Sequence, residues 1–461
     1  VKLTLAKIAE WTGGSLHGTG ETEATGYSID TRTLLRGDVF FAVSGERFDA
    51  HTFVDQAFAR GTIAAVVAEE KVARLGGDGP LIGVDDPLLA LQRLAARVRK
   101  HWGRRVVAIT GSAGKTTTKE MVAAVLSARL QVLKSAGNLN NHFGVPLQLL
   151  RLDAEHDVAV IEMGMSNAGE IALLAKIASP DWGVLTNIGN AHAENFSDGI
   201  AGIARAKFEL IDALPAGGIA FLNADDQNIV ERIAAAAPRA RVVWFGRDKL
   251  DIQAFAIEDL GSEGLRMKVR ADRDTVDVHL RLLGRHNVAN ALSALAVGLE
   301  SGISLAEGAA ALAALTPGDK RGQLIELASG AKVINDSYNS NPEALKSMIR
   351  TLAGVAAERR ILVAGEMLEL GPESERLHAE CGALASELGL DVIIGVRGLA
   401  RALAAAAGLQ AIFLDTPEQA GAWLAANLRF GDVALLKGSR GVRLERALDS
   451  LLDSTAGPAL R

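Results

Sequence analysis

The chain has little cysteine, little tyrosine and no long apolar run. Its one cysteine, Cys381, excludes a disulfide framework and a thiolate metal centre and suits a reducing compartment. The residue itself reads as a small apolar one destined for a core. No uncharged stretch reaches the roughly 18 residues that cross a bilayer. The opening "VKLTLAKIAEWTGG" breaks its apolar residues with Lys2, Lys7 and Glu10, unlike a targeting segment. The excess of one sign of charge is also small: the net charge of -6 gives no electrostatic reason to expect nucleic acid or an anionic membrane as a partner. A soluble, cytoplasmic protein without membrane insertion is the expectation.

What is present is a globular balance, 49% hydrophobic and 23% charged residues, with enough apolar surface for full cores. At 461 residues two or three domains are expected. Residues 1–83 alternate β-rich runs ("DVFFAV", "IAAVVA") with helical ones and end at the Gly/Pro/Asp-rich "GGDGPLIGVDDP", which predicts a small α/β domain. From 84 to 317 strand, loop and helix recur ("RVVAIT", "DVAVIE", "GVLTN", "GIAFLN"), predicting a parallel sheet covered by helices. Between 251 and 283 polar and apolar residues alternate ("LRMKVRA", "TVDVHLRL"), the pattern of an antiparallel insertion on that sheet. After the linker near 316–322, five strand-like runs from "KVIND" to "DVALLKG" predict a third, Rossmann-like domain over 318–461.

The segment "ITGSAGKTTTK", residues 109–119, follows a short β-branched run and opens a helix. Such a loop turns successive backbone N–H groups, here those of Gly111, Ser112, Ala113 and Gly114, toward one point where the helix dipole favours an anion. Lys115 would neutralise phosphate oxygens, Thr116 would offer a hydroxyl to Mg²⁺, and Thr117 continues the loop into the helix. Glu162 ends the run "DVAVIE" at the carboxyl edge of the expected sheet, where ligands of such sheets gather; it reads as a metal-binding carboxylate or a solvated strand end. His192 follows another strand in "TNIGNAHAENF" and is a ligand or a surface residue. Lys207 lies among Ile203, Ala204, Leu210 and Ile211 on the apolar face of its helix. Burial would favour its neutral amine, which reacts with CO₂ to give a carbamate; alternatively its stem lies on the core and its head snorkels out.

These segments, together with "GNLNNHFGVP", "IEMGMSNAGEI", "AKFEL", "GRHNVANALSA" and "NDSYNSNPEAL", resemble in kind and order those of the Mur ligases, ATP-dependent amino-acid ligases of peptidoglycan synthesis. "YSIDTRTLLRGDVFFAVSGERFDAHTF" is similar to that family's uridine-diphosphate-binding first domain. Within the family, "NDSYNSNP", "GEMLELGPESERLH" and "LLKGSRGVRLE" resemble the members that add D-alanyl-D-alanine to UDP-N-acetylmuramoyl-tripeptide. No D-N-P-R motif of the diaminopimelate-adding members is present. Ala50 and Glu366 stand where the family commonly has glycine and aspartate.

The resemblance implies ATP and two Mg²⁺ ions. Lys115, Thr116 and Glu162 would serve the phosphates and first ion, and His192 and carbamylated Lys207 the second. Asn290, with His286 and Asn287, would meet adenine. Arg321 and Asp336 would reach ATP on domain closure. Tyr338 and Asn339 would face the incoming dipeptide. Ser28, Asp30, Arg32, Asp49, His51, Asn138 and Asn141 would lie on the UDP-substrate side. A monomer is expected. The competing readings are another amide ligase of the superfamily, such as folylpolyglutamate synthase or the diaminopimelate-adding ligase, and a nucleotide switch that ligates nothing.

Overall fold

The computed structural model describes residues 1–45, 48–75, 79–248, 251–409 and 411–455. Residues 76–78 of the expected first boundary, and 46–47 within the stretch likened to a nucleotide-sugar domain, lie outside the described residues. The first region is a five-stranded sheet: Gly26–Ser28, Asp38–Phe41, Ala64–Ala68 and Leu81–Val84 run parallel, and Ser15–His17 adds antiparallel to the last of them. The central sheet has nine strands. Val132–Lys134, Val158–Glu162, Arg105–Thr110, Trp182–Leu185, Ile219–Asn223, Arg241–Gly246 and Ile252–Asp259 follow one another in parallel.

The alternating segment extends that same sheet: Leu265–Ala271 and Asp274–Leu280 continue it antiparallel. Every second residue of Leu265–Ala271 is buried and the others are exposed, as expected of antiparallel strands with one wet face. By contrast Val106–Thr110 is buried throughout, because helices cover both faces of the parallel part. Leu91, Leu94, Val106, Ile161 and Ile203 pack on one face; Val107, Ile109, Val122, Phe221 and Leu292 pack on the other.

The third region contains the five expected strands, Lys332–Asn335, Val433–Lys437, Arg360–Gly365, Val392–Val396 and Ala411–Leu414, all parallel. A sixth, Gln323–Glu326, pairs antiparallel on the edge. Its four residues, "QLIE", are too short and too exposed to carry a period. Helix Pro342–Gly354 starts where Asn341 accepts the Ala344 N–H and Pro342 takes the first helical turn, a start written into "SNP". Cys381 is buried in this core, and burial pushes its thiol up to about 12, which keeps it unreactive. Among the described residues no helix is long and apolar enough to cross a membrane.

Candidate active site

The glycine loop is held from two sides. Thr186 donates to the Ala113 carbonyl (2.7 Å), while Asn187 accepts the Ala113 N–H (2.8 Å) and donates back to its carbonyl (3.0 Å). Ser112 donates to the Gly189 carbonyl (3.0 Å) and accepts the Gly189 N–H (2.8 Å). Gly111 and Gly114 both have positive φ, +153° and +79°. A Cβ at Gly111 would stand 1.9 Å from the Thr186 hydroxyl, and one at Gly114 would stand 2.6 Å from Asn290 Oδ1. Glycine is therefore required by neighbouring side chains as well as by backbone angle. Lys115 Nζ donates to the Gly111 carbonyl (2.7 Å). Desolvation lowers its pKa, opposed by Glu162 and aided by Arg321.

Asn290 is buried behind this loop, accepting from Thr118 Oγ1 (3.0 Å) and donating to Asn287 Oδ1 (2.9 Å). Asn287 donates in turn to the Leu283 carbonyl (2.8 Å). His286, at the start of the same helix, meets Ser347 of the third region at 2.9 Å.

Glu162 lies where the strand order predicted, at the carboxyl end of Val158–Glu162 beside the loop-bearing strand. It is 2% exposed, and Asn140 donates to its Oε1 (2.8 Å), while its Oε2 has no hydrogen-bond partner. Lys119 Nζ stands 3.8 Å from that Oε2 and 3.2 Å from Glu120, itself bridged to Lys134. Lys119 and Asn140 were not singled out from sequence. The first is four residues beyond Lys115 on the same helix face; the second sits between the two asparagines that were named. Asn141 instead accepts the Gly144 N–H to start a helix, and Asn138 accepts the Asn140 N–H on its carbonyl.

Lys207 is 1% exposed and forms no hydrogen bond or ion pair among the described residues. Burial first, then the nearby Lys115 cation, holds its pKa well below the ordinary lysine value. The snorkelling alternative is thereby excluded. No group of three or more His, Cys, Asp or Glu able to hold a metal occurs among the described residues.

The third region reaches the central one through polar groups. Arg321 donates to Thr116 Oγ1 (3.1 Å) and stacks on Tyr338, with its guanidinium carbon 4.0 Å from the ring centre. Asp336 is paired with the buried Lys437 (2.6 Å), which also donates to the Asn339 carbonyl (3.0 Å). Glu343 accepts from the Asn190 backbone (3.2 Å) and side chain (2.8 Å), and the Glu369 carboxylate abuts the His192 ring at Nδ1. Lys437, Glu343 and Glu369 belong to recognised segments, but nothing in spacing alone distinguished them.

In the first region two clusters lie at carboxyl ends of parallel strands. Ser28 Oγ accepts the Asp30 N–H (3.1 Å), and Asp30 pairs with Arg32 (2.6 Å). Asp49 accepts from Ser44 (2.9 Å), the His51 N–H (3.1 Å) and Lys71. Lys71 first and His51 next hold the Asp49 carboxyl well below the usual carboxylate range. His51 Nε2 accepts the Ala68 N–H (2.9 Å), so Nδ1 carries the proton offered to Asp49. Ala50 starts the turn Ala50–Phe53 without a positive φ, so glycine is not needed there. Glu366 accepts the Leu399 N–H (2.9 Å) near the start of a helix, so the longer acid has a structural use.

A phosphate loop on a doubly wound sheet, a lone buried lysine nearby and a third α/β domain that reaches across to the loop define an NTP-dependent ligase of the Mur type. The family model for the Mur ligase middle domain matches residues 109–298, and the one described as Mur ligase, glutamate ligase domain, matches 320–440. The chain belongs to the Mur ligase family. A UDP-N-acetylmuramoyl-tripeptide–D-alanyl-D-alanine ligase of Escherichia coli is 37% identical, over 98% of this chain and 99% of that protein. A crystal structure of MurF from Acinetobacter baumannii superposes with a TM-score of 0.90 at 32% identity, covering 98% of this chain and 99% of that one. MurF ligase from Thermotoga maritima in complex with ADP gives 0.82 at 30% identity, covering 94% and 98%.

Proposed function

We propose that this chain joins D-alanyl-D-alanine to UDP-N-acetylmuramoyl-tripeptide with conversion of ATP to ADP and phosphate, as a cytoplasmic monomer. The observation that carries the ligase chemistry is Lys207, a buried lysine without a counter-ion in electrostatic reach of the phosphate loop. Burial keeps the amine neutral and so able to add to CO₂, a C–N bond forming as one proton leaves, and the resulting carbamate would face the Lys115 cation. The full-length similarity to UDP-N-acetylmuramoyl-tripeptide–D-alanyl-D-alanine ligases supports the choice of acceptor and dipeptide. We take 1–83 as the UDP-substrate domain, 84–317 as the ATP domain and 318–461 as the closing domain.

The donor set fits Mg²⁺. Glu162 Oε2 is a buried carboxylate oxygen without a hydrogen bond, and Thr116 adds a hydroxyl, both hard donors. Glu162 and Thr116 would hold one ion, and His192 with carbamylated Lys207 a second. Mg²⁺ bound there would offset the repulsion between the triphosphate and the carboxylate.

The residues act mainly by positioning. N–H groups of Gly114 to Thr117 and the Lys115 ammonium receive the β and γ phosphates, while those of Ser112 and Ala113 are held by Asn187 and fix the shape of the loop. His286, Asn287 and Asn290 border the adenine, and Arg321 follows the phosphates from the closing domain. A tripeptide carboxylate oxygen attacks the γ-phosphorus and ADP leaves, giving an acyl phosphate. The dipeptide amine, received near Tyr338 and Asn339, attacks the acyl carbon, and the C–O bond to phosphate breaks as the amide forms. Asp336, held by Lys437, belongs to the surface that excludes water from this intermediate. Ser28, Asp30, Arg32, Asp49 and His51 are assigned to the uridine diphosphate end, and Asn138 and Asn141 to the rest of that substrate.

ADP release measured with each substrate withheld tests the reading. Sustained release requires both the UDP-tripeptide and D-alanyl-D-alanine. Equal release with either one absent would eliminate it and favour a nucleotide switch; release with diaminopimelate or glutamate in place of the dipeptide would favour the other amide ligases.

A further inference from the structure

The least ordinary contact in the molecule joins two strained residues from different domains. His192 and Glu369 both have φ +64°, a backbone region that costs non-glycine residues energy and persists where surrounding structure enforces it. Their side chains meet: Nδ1 of His192 is buried without a regular hydrogen bond among the described residues, and Oε2 of Glu369 is the charged atom that abuts it. The approach is locked on either side. The Glu194 N–H donates to the Glu369 carbonyl (3.4 Å), and Gly371 sits so close to Glu194 that a Cβ there would lie 3.0 Å from its Cα. Glu369 is half exposed and touches nothing else with its carboxylate among the described residues, so its stabilising value to the fold is small.

A histidine has two ring nitrogens, and a carboxylate on one fixes the proton there and leaves the other as the ligand. His192 Nε2 forms no hydrogen bond among the described residues. We propose that Glu369 is a positioning residue delivered by the third domain: by holding Nδ1 it sets the tautomer and ring orientation of His192, presenting Nε2 to the second metal. Docking of the third domain then completes the metal site as well as the nucleotide site. Ordering of the second ion and domain closure become one event, which keeps phosphoryl transfer from starting in an open, wet site. This rests on the assignment of His192 as a metal ligand.

Mn²⁺ binding, followed by the electron paramagnetic resonance of the free ion with ADP and UDP-tripeptide present, separates the possibilities. Glu369→Ala is expected to weaken the second Mn²⁺ by about 10–100-fold, the usual scale for such a supporting group, and to leave the first unchanged. Glu369→Gln, which retains an oxygen for Nδ1–H, loses less. Glu343→Ala removes another contact across the same seam, to Asn190, without touching His192, and leaves both ions in place. Unchanged second-ion binding in Glu369→Ala, or an equal loss in Glu343→Ala, would overturn the proposal. Unchanged binding in His192→Ala would overturn the metal assignment itself, and weakening there alone would overturn only the role of Glu369.

Discussion

The two junctions between the domains are built from different materials. Between the first and central regions the core is continuous: Leu5 and Ile8 of the first helix, Leu91, Leu94 and Val98 of helix Pro87–Trp102, and Val106 and Ile203 of the central layer form one buried apolar cluster. Between the central and third regions the contacts are charged or hydrogen-bonded, namely Arg321 with Thr116, Glu343 with Asn190, Glu369 with His192 and Ser347 with His286. The third region has its own two apolar clusters, and only Leu283 from the central region joins them among the described residues. A continuous apolar core resists separation, whereas a polar seam exchanges its partners with water at little cost. On the proposed function, the first junction would fix the acceptor substrate relative to ATP, and the second would open and close over both.

Substitutions on the two junctions should therefore have opposite signatures. The largest effect is expected at Lys207, buried in the central region. Lys207→Ala should lower kcat by about 10³-fold, the scale of a lost preorganised charge, and bicarbonate should not restore it. Near-normal turnover would remove the carbamate. Arg321→Ala should cost about 10²-fold in kcat, with thermal unfolding almost unchanged, because its partners Thr116 and Tyr338 remain solvated; a large fall in Tm would show the seam to be structural.

Leu94→Ala tests the other junction. Loss of a fully buried leucine should cost about 2–5 kcal/mol in urea unfolding, and the first and central regions should melt together. Separate transitions would contradict a shared core. The smallest effect concerns Asp49. Its folded pKa is depressed, so its contribution is fully present above the unfolded value, about 4, and is lost progressively as pH falls from there through the depressed folded value. Asp49→Asn should lower stability by no more than about 1 kcal/mol at pH 7, and the gap should narrow as the pH falls below about 4. A gap that widens in acid would reverse the assignment.

Much of this was legible in the chain because local rules and tertiary structure agree. Buried strands read as β-branched runs, and the glycine loop stands between a strand and a helix. Lys207 was visible because a lysine on an apolar face breaks the helical period. The edge strand Gln323–Glu326 was not, since four exposed residues have no pattern to detect. Lys119, Asn140 and Lys437 escaped for another reason. Their importance lies in what they face across 22 to 101 residues of sequence, and a polar residue's partner is set by the fold rather than by its neighbours. The seam as a whole is of this kind, for Glu369 and His192 share nothing in sequence that announces their meeting.

The central claim is that the phosphate held by "GSAGKT" ends on a carboxylate, and oxygen transfer tests it directly. UDP-tripeptide labelled with ¹⁸O in its terminal carboxylate would be turned over with ATP and D-alanyl-D-alanine, and the released phosphate examined by mass spectrometry. The account predicts one ¹⁸O transferred to phosphate for each amide formed. Unlabelled phosphate at the same turnover would mean that water, and not the tripeptide, receives the phosphoryl group.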